Sequence, residues 1–124
     1  ELEPLIAGSD IVLGIFGNSE KARMVIPNKG FQAMAVGRAV ISRESPAIDE
    51  LFTDGESIIT VPAGNPSRLA EAVERLRADP AMRERIAGNA SSLVRKGYAP
   101  EGVARRFLEI LADEGLVSES RLCR

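Results

Sequence analysis

Three short apolar runs stand out from the polar sequence around them: Ile11-Val12-Leu13, Ala39-Val40-Ile41 and Ile58-Ile59-Thr60-Val61. Each is too short for a helix and rich in branched side chains, which predicts strands covered on both faces of a parallel sheet. Turn residues precede them as Gly8-Ser9-Asp10, Gly37-Arg38 and Thr53-Asp54-Gly55-Glu56. Between the first two runs, Asn28 to Val36 sets Phe31, Met34 and Ala35 on one helical face, with Pro27 at the start and Gly37 as the stop. Ser45-Pro46 to Leu51 reads as a short helix with a serine cap and a first-turn proline.

After the third run the period becomes helical. Asn65-Pro66 opens a helix carrying Leu69, Val73 and Leu76, and Asp79-Pro80 opens one carrying Met82, Ile86, Leu93 and Val94. Ala99-Pro100 begins a third, whose Val103, Phe107, Ile110 and Leu111 form an apolar stripe. Periodicity fades beyond Asp113, so residues 113–124 are expected to be a tail, frayed from Leu116 onward.

Strands alternating with helices predict an α/β fold. Over residues 1–112 the expected form is a partial Rossmann-like three-layer domain, with a short parallel sheet of about three strands followed by C-terminal helices. Doubly wound sheets usually hold five or six strands, so further strands are expected upstream in a longer parent, with Ile11 to Gly14 near the middle of the completed sheet. A start at Glu1, without a leader, fits an excised segment. Apolar surface left open by absent strands predicts self-association of the isolated segment.

Composition narrows the chemistry. With 16 Lys plus Arg against 18 Asp plus Glu in 124 residues, the net charge of -2 offers no field for generic nucleic-acid binding. There is no histidine, which removes the commonest general base and zinc ligand. Cys123 is the only cysteine, so neither an internal disulfide nor a cysteine metal cage is possible. No metal and no cofactor are expected. No apolar stretch approaches the roughly 20 residues of a membrane span.

In open parallel sheets, ligands bind beyond the carboxyl ends of the strands, which directs attention to Ile15 to Asn28. This stretch holds Gly17, Asn18 and Ser19, then Met24-Val25-Ile26-Pro27 leading into the helix at Asn28. Backbone amides, a helix amino terminus and Lys29 in its first turn suit a diphosphate, although a solvated connector has the same composition. Met24 reads equally as a gap-filling core side chain. Asp10 and Asp54 are expected to be capping and turn residues. Glu20, Glu44 and Asp49 are carboxylates whose separation one sequence does not fix.

Four blocks in order carry a resemblance that spans nearly the whole chain. They are Ala-Gly-Ser-Asp-Ile-Val-Leu (7–13), Pro-Asn-Lys-Gly-Phe-Gln-Ala-Met-Ala-Val-Gly-Arg-Ala-Val-Ile (27–41), Glu-Leu-Phe-Thr-Asp-Gly-Glu-Ser (50–57) and Val-Pro-Ala-Gly-Asn-Pro-Ser-Arg-Leu-Ala-Glu-Ala-Val (61–73). Together they resemble the second half of the C-terminal domain of a GT-B fold glycosyltransferase of the retaining group 1 (GT4-like) family. The resemblance implies a donor-binding half of a two-domain enzyme, with the acceptor held largely by an N-terminal domain absent from this chain. It makes the stripe on Pro100 to Leu111 an interdomain surface, while a helix packed on its own domain explains that stripe equally well.

The family signature places two glutamates with seven residues between them. Here the first position is Met24 and the second is Gln32. Gln32 keeps an amide oxygen for a ribose hydroxyl; Met24 leaves sugar contact to the backbone of Val25 and Ile26 or to Asn18 and Ser19. The implied donor-binding set is Gly17, Asn18, Ser19, Met24, Val25, Ile26, Asn28, Lys29 and Gln32, with no catalytic residue in this segment. The implied partner is a nucleoside diphosphate sugar, and the implied location is the cytoplasm or the inner face of a membrane. A non-catalytic binding or assembly module remains the alternative. A receiver-like regulator ranks last, because it needs clustered acids at the strand ends.

Overall fold

The computed structural model describes residues 2–97 and 100–115, in two compact units, Glu1–Ser92 and Leu93–Arg124. The first unit runs α1 (Leu2–Ala7), β1 (Ile11–Leu13), α2 (Glu20–Met24), α3 (Asn28–Ala35), β2 (Ala39–Arg43), α4 (Pro46–Leu51), β3 (Ile59–Val61) and α5 (Pro66–Ala78), and it includes α6 (Pro80–Gly97) as far as Ser92. The strands form one parallel sheet in the order β1-β2-β3, with Ile11 opposite Ala39 and Ile41 opposite Ile59. The expected α/β class and three-stranded sheet are therefore present. β2 is central, and β1 has no strand on its outer edge among the described residues.

Side chains of β2 alternate between two covered faces. Ala39 and Ile41 join Ile59 and Val61 in a cluster with Ala72 and Leu76 of α5 and Ile86 and Ala87 of α6. Val40 and Ser42, on the alternate face, are buried too, as are Met34 of α3, Ile48 of α4 and Phe52. Phe31 and Phe52 approach with ring centroids 6.0 Å apart and planes tilted by 55°.

The starts and stops follow local chemistry. Ser45 Oγ accepts from the Ile48 amide at 3.2 Å, Asn65 Oδ1 from Arg68 at 3.1 Å and Asp79 Oδ1 from Met82 at 3.0 Å, each satisfying a first-turn donor. Gly37, at φ 79°, ends the α3 segment in the left-handed conformation. Asp54 is a turn residue, its carboxylate accepting from the Thr60 amide at 2.8 Å.

Five features differ from the sequence reading, the first being helix α1 (Leu2–Ala7) ahead of β1. β2 continues through Ser42 and Arg43, all five of its residues buried, because both side chains find hydrogen-bond partners there. The connector after β1 contains the one-turn helix α2, capped by Ser19 Oγ accepting from Ala22 at 3.2 Å. Met24 is 76% exposed and fills no core gap. β1 is only partly covered, with Leu13 exposed at its open edge.

The second unit holds the end of α6 and α7 (Pro100–Asp113), which buries none of its residues. Gly102 lies so close to the end of α6 that a Cβ there would sit 2.7 Å from the Gly97 carbonyl oxygen. Val103, Phe107 and Ile110 are exposed, as is Leu93. The expected tail from Leu116, Cys123 and the Ala99 start of α7 lie outside the described residues.

One close approach fixes the end of β1. Gly14 is buried, and a Cβ there would lie 2.5 Å from Ser42 Oγ and 2.8 Å from Ser42 Cβ. Gly14→Ala is therefore expected to cost about 1–3 kcal/mol in urea unfolding, as overpacking does. The same substitution in a Ser42→Gly background should cost measurably less; equal penalties in both backgrounds would show that the contact is unimportant.

Candidate functional site at the carboxyl ends of the strands

The carboxyl ends of the strands are roofed by the segment from Gly14 to Ser19. Its backbone continues the sheet for two residues, the Gly14 amide donating to the Ile41 carbonyl at 2.8 Å and the Arg43 amide to Ile15 at 2.9 Å. Ser42 Oγ accepts from the Ile15 amide and donates to the Ile15 carbonyl, both at 3.2 Å. Beyond it, the Arg43 guanidinium donates through Nη1 to the Gly17 carbonyl and through Nε to the Glu44 carbonyl at 3.1 Å. The segment then touches the turn after β3, where the Gly64 amide donates to Phe16 at 3.3 Å. Gly64 has φ 63°, and a Cβ on it would sit 2.8 Å from Asn18 Nδ2.

Of the residues singled out in the sequence, Gly17, Asn18 and Ser19 thus lie across the strand ends, fixed by backbone contacts and exposed. Ser19 Oγ is committed to capping α2. Met24 ends α2, and Met24 and Val25 are exposed in the extended link to α3, with Ile26 partly covered. Asn28 and Lys29 occupy the first turn of α3 and face solvent. Because α3 returns the chain from β1 to the parallel neighbour β2, that first turn lies at the carboxyl end of the sheet.

α3 begins differently from α2, α4, α5 and α6. Its N-cap is Pro27, which supplies no side-chain hydrogen bond. The Asn28 and Lys29 amides have no intrahelical acceptor, so they remain donors for an incoming anion. Gln32 is exposed one turn further on, lining a cavity of about 270 Å³ with Ile6, Ala35 and Val36. The link from Met24 to Lys29 is thus continuous, while Gln32 faces a mostly apolar hollow beside α1.

Sequence reasoning missed Ser42 and Arg43. A signal was present: two polar residues directly following a buried apolar run, in a strand flanked by strands on both sides, must find partners inside the fold. A second cavity, of about 340 Å³, opens between α2 and α4 over the ends of β2 and β3, and its walls include Arg23 and Arg43. Among the described residues no helix is long and apolar enough to cross a membrane.

Comparison with known proteins agrees with this architecture. Residues 1–109 match the family described as glycosyl transferase-like. Alpha-D-kanosaminyltransferase of Streptomyces kanamyceticus is 32% identical over 85 residues, 68% of this chain and 22% of its own length. The C-terminal domain of a glycosyl transferase group 1 family protein from Francisella tularensis superposes with a TM-score of 0.67 at 25% identity, over 81% of this chain and 49% of that one. Anabaena HepE, solved in complex with UDP-glucose, superposes with a TM-score of 0.74 at 20% identity, over 88% of this chain and 29% of its own. The chain thus spans about a quarter of the length of the curated relatives it matches.

Proposed function

The chain belongs to the glycosyl transferase-like family, and on that premise we propose that the full-length protein transfers a sugar from a nucleoside diphosphate sugar to an acceptor, with retention of configuration. The segment described above supplies donor binding and is inactive alone, the acceptor and further donor contacts coming from the remaining length of the protein. The preceding strands of that longer protein would pair with the open edge of β1. No metal takes part in this reading, and the reaction runs in the cytoplasm or at the inner face of a membrane.

The observation that carries the proposal is the uncapped start of α3, beside Lys29 and beyond the ends of the strands. As the donor diphosphate leaves, negative charge grows on its oxygens. The Asn28 and Lys29 amides, the positive end of the α3 dipole and the Lys29 ammonium would stabilise that charge in place. The backbone at Met24 to Ile26 would face the sugar side of the diphosphate, and Gln32 would accept a ribose hydroxyl. The arrangement of Gly17, Asn18 and Ser19 would close the pocket from the β1 side.

Saturation transfer NMR on the full-length protein with UDP, GDP and ADP in competition tests this. The expected result is selective transfer to one nucleotide, with Lys29→Ala weakening its binding about tenfold, as loss of one charge-assisted contact does. No transfer to any of the three at millimolar ligand would favour a non-catalytic binding or assembly module. That second reading is motivated by Met24 and Gln32, neither of which carries a carboxylate.

A further inference from the structure

One residue, Arg38, holds the carboxyl ends of both α1 and α3. Its backbone amide donates to the Ala33 carbonyl of α3 at 2.9 Å, and its guanidinium donates through Nη2 to the carbonyl of Ala7, the last residue of α1, at 2.6 Å. With six residues, α1 is too short to be stable on its own hydrogen bonds, so its position depends on what it is tied to. The guanidinium satisfies one of its terminal carbonyls and places a positive charge at the negative end of its dipole. The residues beside the two held carbonyls are those that line the hollow of about 270 Å³ next to Gln32. Ile6, only 5% exposed, adjoins Ala7 and forms the α1 wall, while Gln32, Ala35 and Val36 flank Ala33 along α3. The separation of the two carbonyls therefore sets the width of that hollow.

We infer that Arg38 is a positioning residue, which fixes α1 against α3 and so holds Gln32 in the orientation that receives a ribose hydroxyl. The inference rests on the reading of Gln32 as the ribose contact. An exposed glutamine loses rotamer freedom when it is ordered by a ligand, and a wall already in place removes part of that cost before the ligand arrives. Arg38 itself directly precedes β2, at the amino end of the sheet, whereas the start of α3 lies at the carboxyl end. Its effect on the ribose contact should therefore be separable from diphosphate binding. The Nε of the same guanidinium is buried and meets no acceptor among the described residues. A lysine carries no such donor and can still reach one carbonyl, so this position does not require the planar fork of arginine.

The test uses the full-length protein with Arg38→Met, Arg38→Gln and Arg38→Lys, and with Val73→Ala as a control that loosens the cluster under α5 instead. Each is titrated with the preferred member of UDP, GDP and ADP, with its 2′-deoxy and 3′-deoxy forms, and with pyrophosphate. Wild type is expected to bind the ribose form roughly two- to tenfold more tightly than one of the deoxy forms, the worth of a single net hydrogen bond. In Arg38→Met and Arg38→Gln that ratio should fall to about one with pyrophosphate affinity unchanged, while Arg38→Lys restores it and Val73→Ala leaves it as in wild type. A ratio that survives both shortened side chains, or falls equally in Val73→Ala, would overturn the inference and leave the donor-binding reading in place. Nucleotide binding without any preference for the ribose form would remove Gln32 as the ribose contact, and Arg38 with it. If wild type binds no nucleotide, the transferase reading fails, and the side-chain amide resonances of Gln32 in the free protein still decide the role of Arg38. They are expected to move in Arg38→Met and Arg38→Gln and to return in Arg38→Lys; resonances unmoved by all three overturn the inference. Arg38→Met retains the apolar stem and guards against loss of folding, which circular dichroism checks in every variant.

Discussion

Arg43→Ala is expected to lower the unfolding free energy by about 3 kcal/mol and to weaken nucleotide binding together with it. Arg43 is buried at the end of the central strand, where its guanidinium holds the carbonyls of Gly17 and Glu44. Hydrogen bonds to a charged group contribute more than neutral ones, about 1.5–3 kcal/mol each, and Arg43 makes two of them from a buried side chain. Beyond stability, the substitution frees the segment that roofs the strand ends, so the loss should appear in ligand affinity as well. Arg43→Lys should recover only part of either quantity, because one ammonium does not reproduce a planar fork reaching two carbonyls. Urea unfolding followed by circular dichroism, paired with nucleotide titration of the full-length protein, reads both. An alanine variant as stable and as tightly binding as wild type would remove Arg43 from the account of the site.

Leu76→Ala is the substitution with the largest expected cost to the fold. Leu76 is fully buried in the cluster formed by Ile41 and Ile59 of the sheet and Ile86 of α6. Truncating such a residue removes transfer free energy and leaves a cavity, together about 2–5 kcal/mol. Val103→Ala, at a position 51% exposed on α7, is expected to change stability by less than about 0.5 kcal/mol. The contrast is informative because both residues sit in helical apolar stripes of similar appearance. A Leu76 variant within 1 kcal/mol of wild type would mean that the α5 to sheet contact is not the stabilising one.

The contrast also marks how far the sequence could be read. Periodicity found every strand and the helices with proline after a capping residue, because Ser45-Pro46, Asn65-Pro66 and Asp79-Pro80 announce both the cap and the first turn. It did not find α2, whose five residues are too few to show a period and whose only start signal is Ser19. It could not rank stripes by burial either: α5 and α7 both show apolar residues at helical spacing, yet α5 buries Ala72 and Leu76 while α7 buries none of its residues. Among candidate site residues, the link from Met24 to Lys29 was legible because strand, loop and helix start follow one another in the chain. Arg43 and the walls of the α2–α4 cavity were not, since Arg23, Glu44 and Asp49 line one hollow only after the sheet has brought separate connectors to one end. Glu44 and Asp49 were visible as carboxylates, but their juxtaposition with the arginines is a property of the fold.

The order of the sheet bears on how it assembles. Ile41 and its partner Ile59 are 18 positions apart in the chain, whereas Ile11 and Ala39 are 28 apart. Closing the shorter loop is favoured by about 0.4 kcal/mol of chain entropy, so β2 and β3 form the natural first pair and β1 joins them afterwards. The roof over the strand ends arrives with β1, because Ser42 and Arg43 must already stand in the central strand to receive Ile15 and Gly17. The segment over the strand ends is consequently expected to close after β2 and β3 have paired.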